Sequence, residues 1–87
     1  MKIKVTAEHI NKGEPMNHSS CPIALAINDV GYFQTNVGPN LVIFRPFMDS
    51  IQRFKVSLPT RARKFIEKFD AKKTVKPFNF IINFDRA

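Results

Sequence analysis

Arg53-Phe-Lys-Val-Ser-Leu-Pro-Thr-Arg-Ala-Arg-Lys-Phe-Ile-Glu-Lys-Phe-Asp70 changes its hydrophobic period part-way along. Phe54, Val56 and Leu58 alternate with Arg53, Lys55 and Ser57, the period of two that gives a strand one dry and one wet face. From Leu58 onward the apolar positions are Leu58, Ala62, Phe65, Ile66 and Phe69, at i, i+4, i+7, i+8 and i+11. That spacing draws a single stripe along a helix. A strand running directly into an amphipathic helix predicts an α+β domain.

Downstream, residues 71–76 form a lysine-rich linker and Pro77 fixes extended backbone. Phe78, Phe80, Ile82 and Phe84 then line one face of a last strand, with Asn79 and Asn83 on the other. Upstream, two β-prone runs at 32–37 and 41–45 flank Gly38-Pro-Asn40, a turn-forming triplet, and read as a hairpin. Residues 46–50 interrupt the pattern.

Residues 21–27 carry no polar side chain apart from the Cys21 thiol. They predict a central helix covered on most sides, capped by Ser19 or Ser20, opened by Pro22 and ended by Gly31 near residue 30. At the start of the chain, Lys2, Ile3, Lys4 and Val5 alternate as a first strand. Thr6 caps a short helix through Lys12, stopped by Gly13 in left-handed geometry. The order β, short α, α, β, β, β, α, β suggests a small mixed or antiparallel sheet of four to five strands packed against two main helices.

The 87 residues make one domain, 1–87, since a chain of this length supports a single core. With 44% hydrophobic residues, nine Phe and three Gly, the composition is globular rather than disordered. No apolar run approaches the roughly 18 to 20 residues that span a bilayer, so no membrane span is expected. The first residues alternate instead of forming a basic cap and an apolar block, so no signal peptide is read and a cytoplasmic location is expected. A single cysteine, Cys21, is in keeping with a reducing compartment.

The net charge of +7 is concentrated. Residues 1–44 balance Lys2, Lys4 and Lys12 against Glu8, Glu14 and Asp29, and residues 77–87 also cancel. Residues 45–76 hold ten basic side chains against Asp49, Glu67 and Asp70, which is the whole surplus. Arg61, Lys64, Lys68 and Lys72 follow i, i+3, i+7 and i+11 and are expected on one helix face. Arg53 and Lys55 on the preceding strand, with Arg63, Lys73 and Lys76 nearby, extend the candidate surface. Arg61, Arg63 and Lys64 fall near the helix start, where the dipole disfavours each cation by roughly 0.3 to 1 kcal/mol, so stability alone does not select them. Such a surface suits phosphates or an acidic protein face. The same cations also serve simply as solvated side chains that keep a small domain soluble, with Arg63 and Glu67 forming an i, i+4 pair. Most Phe residues fall at core spacings, which leaves Tyr32, Phe33 and Phe47 as exposed stacking platforms.

Catalytic and metal constellations are not found. His9, His18 and Cys21 invite a metal reading, and His18-Ser-Ser-Cys21 has a ligand-like gap, but a structural zinc needs four ligands and no second cysteine pair exists. Cys21 beside a helix start, one turn after His18, resembles an activated thiol, yet an apolar helix equally takes a small cysteine as packing. There is no Gly-rich phosphate loop, GxSxG elbow or HExxH pair. Asp49, Asp70 and Asp85 offer the elements of an acidic pair, but Asp70 reads better as the end of the basic helix. No enzyme, metal or cofactor is expected.

Four blocks carry a resemblance: Thr6-Ala-Glu-His-Ile-Asn-Lys-Gly13, Cys21-Pro-Ile-Ala-Leu-Ala26, Leu58-Pro-Thr-Arg-Ala62 running into Phe65-Ile-Glu-Lys-Phe-Asp70, and Val75-Lys-Pro-Phe-Asn-Phe80. Together they are similar to a group of small uncharacterised accessory proteins of bacteriophages and prophage-like regions. The resemblance implies a source, with the host cytoplasm as its setting, and a role in binding rather than chemistry, but no particular binding residues. The expected function is therefore a basic binding module docking on nucleic acid or an acidic, nucleic-acid-like protein surface of host or virus. The alternatives are a protein-binding inhibitor of a host defence or replication enzyme, or a minor virion or assembly component. The oligomeric state is not readable from the sequence.

Overall fold

The structure, a computed structural model, describes residues 2–46 and 51–82. Its elements are β1 (Lys2–Val5), α1 (Ala7–Lys12), α2 (Pro22–Asp29), β2 (Phe33–Val37), β3 (Leu41–Arg45), β4 (Phe54–Ser57), α3 (Thr60–Asp70) and β5 (Phe78–Ile81). The α+β class holds, and among the described residues every strand pairing is antiparallel. The strands divide between two sheets, however: β1 pairs with β5, and β2, β3 and β4 form a three-stranded sheet in that order. The cause lies in α2. Pro22, Ile23, Ala24, Ala26 and Ile27 are all buried, so this helix has more than one apolar side to cover. It packs on α1, on β1 and on β2, and so stands between the two sheets.

In the two-stranded sheet Ile3 lies opposite Phe80 and Val5 opposite Phe78. Ile3, Val5 and Phe80 are buried, with Ile82 just beyond the strand. In the three-stranded sheet Val42, Phe44 and Val56 are buried in the core, and Tyr32 packs on Phe44 in a tilted arrangement at 4.6 Å between centroids. Gly38, Pro39 and Asn40 make the β2–β3 turn as expected, with the Gly38 N–H donating to the Leu41 carbonyl at 2.8 Å.

Thr6 caps α1, and His9 supplies the returning half of a capping box. The Thr6 N–H donates to His9 Nδ1 at 3.0 Å, and His9 Nε2 pairs with the Asp29 carboxylate at 2.5 Å. One buried histidine thus secures the start of α1 and fastens it to the end of α2.

Several expectations are corrected. Gly13 is extended, at φ −71° and ψ 150°, not left-handed. Glycine is needed there because a Cβ would lie 2.6 Å from Pro22 Cδ. Neither Ser19 nor Ser20 caps α2. Both backbone N–H groups, and the Ser19 hydroxyl, are turned toward Asn17 Oδ1, and the N-cap is Cys21, without a side-chain cap bond. Tyr32 is 1% exposed and offers no stacking face, while Phe33 is half-buried on β2. Phe54, expected in the core, sits at the outer corner of edge strand β4 opposite Phe44 and is 37% exposed. Leu58 precedes α3 rather than belonging to it, although it is buried beneath its start. Phe47, Asp49, Asn83, Phe84 and Asp85 lie outside the described residues. Among the described residues no helix is long and apolar enough to cross a membrane.

Candidate functional site

α3 begins without the usual support. Its N-cap is Pro59, which makes no side-chain cap bond, and its first turn holds no acidic residue. The helix is fixed instead by its apolar stripe: Ala62 and Phe65 are buried, with Ile66 and Phe69 packed on the same core. With that stripe turned inward, Arg61, Lys64 and Lys68 share a neighbouring face at successive turns.

Opposite this face runs the extended chain from Thr74 to Asn79, held by the pairing of β5 with β1. Between the two lies an open groove of about 870 Å³. Arg61, Lys64 and Lys68 line it from the helix and Lys76 from the extended segment. Phe65, Val75, Pro77 and Phe78 give it an apolar floor, and Thr60, Thr74 and Asn79 add polar groups. None of the lining residues is acidic. Among the described residues no carboxylate lies within ion-pair distance of these four cations; the ion pairs present are His9 with Asp29 and Lys12 with Glu8.

Ring stacking ties the floor to the core. Phe78 stacks on Phe65 at 4.6 Å and on Phe80 at 5.6 Å between centroids, joining α3 to β5 through three rings. Phe78 itself is half-buried and contributes to the lining of the groove. Arg61 Nη1 donates to the Asn79 carbonyl at 3.2 Å at one end of the groove. Arg61 and Asn79 also line an adjoining cleft of about 470 Å³ with Lys2, Pro59, Phe80 and Ile81, so the positive track continues past them.

The structure therefore gathers part of the expected surface and disperses the rest. Arg61, Lys64, Lys68 and Lys76 converge on the groove. Arg63 does not line it and makes no pair with Glu67; its Nη2 donates to Thr60 Oγ1 at 3.4 Å. Lys72 is not on the helix face, because α3 ends at Asp70 in a paired C-terminal motif. The Lys72 N–H bonds Phe69 and the Lys73 N–H bonds Lys68, with Lys72 itself left-handed at φ 61°. Arg53 lies exposed just before β4 and Lys55 on it. β4 is an edge strand, where cations deter pairing with another chain. Lys2, Phe78 and Asn79 are additions that sequence spacing did not single out. The outward face of β1 was readable, but its β5 partner was not.

Cys21 is buried, and that burial pushes its thiol above the usual range, outweighing the lowering by the backbone N–H groups of Ala24 and Ile23. This is the reverse of what an activated nucleophile needs. His18 is exposed, and its Nδ1 lies 3.1 Å from the Val37 carbonyl. Asp70 Oδ1 accepts the Met16 N–H at 2.9 Å, tying the 14–18 loop to the end of α3. Among the described residues no set of three His, Cys, Asp or Glu side chains is placed to hold a metal ion. Compared with protein-family models, with curated proteins and with solved structures, the chain matches none, so its reading rests on this groove and its charge.

Proposed function

We propose that this protein is a small binding module that takes nucleic acid into the groove between α3 and the 74–79 segment, acting by binding and not by catalysis. One observation carries the reading: four cations from two separate segments converge on a groove that no carboxylate lines. Self-repulsion among them, and cations at an uncapped helix start, work against stability and are offset when phosphates occupy the site. The resemblance to phage accessory proteins, which implies a binding role in the host cytoplasm, agrees with this proposal.

Four neutralised phosphates on a single strand give a slope of log K against log salt of about −2.8, so raising salt from 50 to 200 mM weakens binding about 50-fold. The test is fluorescence anisotropy of a labelled 20-nucleotide strand and of its duplex at those two concentrations. Saturable binding of the strand with that slope, or of the duplex with a slope of about −3.6, supports the proposal, and flat curves for both at 50 mM remove it. Poly-glutamate competing as well as the oligonucleotide would shift the reading to an acidic protein partner.

A second reading has one observation in its favour. Ile81, 65% exposed on β5, sits beside the Lys2 and Arg61 cleft and gives a protein partner an apolar contact next to a sheet edge. An inhibitor of a host enzyme would use that corner. Recovery of a stoichiometric partner that Ile81→Asp abolishes would support it.

A further inference from the structure

We infer that the groove is built for a single strand, with an unpaired base stacked on Phe78, and that it discriminates against duplex; this rests on the nucleic-acid reading above. Proteins that read duplex push a convex helix or ribbon into a DNA groove, or lie along its phosphate ribbon. Here the arrangement is inverted. The cations line a concavity with an aromatic floor, and a duplex keeps its bases stacked inward, where such a floor cannot reach them. A single strand presents phosphates to Arg61, Lys64, Lys68 and Lys76 and turns a base face toward the ring.

Phe78 meets the requirements of a stacking platform. It is half-buried instead of sealed, lines the groove together with basic side chains from the helix and from the 74–79 segment, and packs on Phe65 and Phe80 through stacked rings, so a base meets the part of the ring that those two leave uncovered. From Arg61 to Lys68 the helix advances about 10 Å. With the adjoining cleft past Arg61 toward Lys2, this gives room for roughly four nucleotides, the low end of known single-strand sites.

The test compares a single strand with its own duplex, and then a series of strand lengths, using the whole chain and its Phe78 variants. The single strand is expected to bind at least about tenfold tighter, with affinity levelling off near four to six nucleotides. Phe78→Ala is expected to weaken single-strand binding roughly 5- to 150-fold, the range for loss of one base stack, while leaving the salt slope unchanged. Because Phe78 also packs on Phe65, two further variants keep the result decisive. Phe78→Tyr retains a ring and should bind as the parent does, whereas Phe78→Leu keeps apolar bulk without a ring face and should bind as weakly as Phe78→Ala. Equal affinity for duplex and single strand, or full binding by Phe78→Leu, overturns the inference while leaving nucleic-acid binding intact. Absence of any binding overturns both.

Discussion

Replacing Gly13 with Ala is expected to destabilise the fold for a purely steric reason. Gly13 has an ordinary extended backbone, so alanine meets no conformational penalty there, and shortening the list of unfolded conformations would stabilise by about 0.4 to 1 kcal/mol. The added methyl, however, would sit 2.6 Å from Pro22 Cδ, 2.7 Å from Cγ and 2.8 Å from its nitrogen. Pro22 is buried and rigid at the first turn of α2, so relief requires α1 and α2 to separate. Overpacking of this kind costs about 1 to 3 kcal/mol, leaving a net loss centred on about 1.3 kcal/mol. For a domain of this size that lowers Tm by roughly 5 to 10 °C. Circular dichroism melts and urea titrations of Gly13→Ala, Pro22→Ala and the double variant measure it. Removing Cγ and Cδ frees two of the three close contacts, so the double variant should fall short of the summed losses by about 1 kcal/mol. A Gly13→Ala protein that melts within about 1 °C of the parent, or strictly additive losses, would refute the reasoning.

Lys72→Gly should raise Tm by a few degrees, because the left-handed position that closes α3 costs a side-chain-bearing residue about 1 kcal/mol; unchanged or lower melting counts against the motif. His9→Ala should lose about 1 to 2 kcal/mol in urea unfolding through the α1 cap and the Asp29 bond together. His9→Gln, a capping-box residue too short to reach Asp29, should fall between, and equal losses would dismiss the cap. Because burial raises the Cys21 thiol, the unfolded chain ionises first: its contribution is complete below about pH 9, the ordinary thiol value, and declines as pH rises above it. Melts at pH 8 and 10 should therefore show a steeper fall for the parent than for Cys21→Ala, and parallel falls would contradict the burial argument.

Local pattern announced local structure well. The i, i+4, i+7, i+8 run through Phe65 and Phe69 gave α3, the alternation at Ile3 and Val5 gave β1, and Gly38-Pro-Asn40 gave the hairpin. Partnership was not written there. Nothing in Lys2–Val5 says that its neighbour is Phe78–Ile81, so the division into two sheets, and the groove wall it creates, emerge only in three dimensions. The candidate site was half visible on the same account. Arg61, Lys64 and Lys68 share a helix face by spacing alone, whereas Lys76 and Phe78 join them through the β1–β5 pairing. Lys72 was misplaced because an end motif built on a left-handed lysine carries no glycine to mark it. The capping role of His9, a residue weighed only as a metal ligand, was not legible because the third helical position of a capping box ordinarily holds Glu or Gln, not an imidazole.

The ladder that sets Lys2 against Ile81 also has a kinetic meaning. It joins the first strand described to the last, and encounters between such distant segments are slow compared with forming the β2–β3 hairpin. In refolding experiments the wall bearing Lys76 and Phe78 is thus expected to arrive after the three-stranded sheet. An oligonucleotide held between that wall and α3 would then retard unfolding while leaving the refolding rate almost untouched.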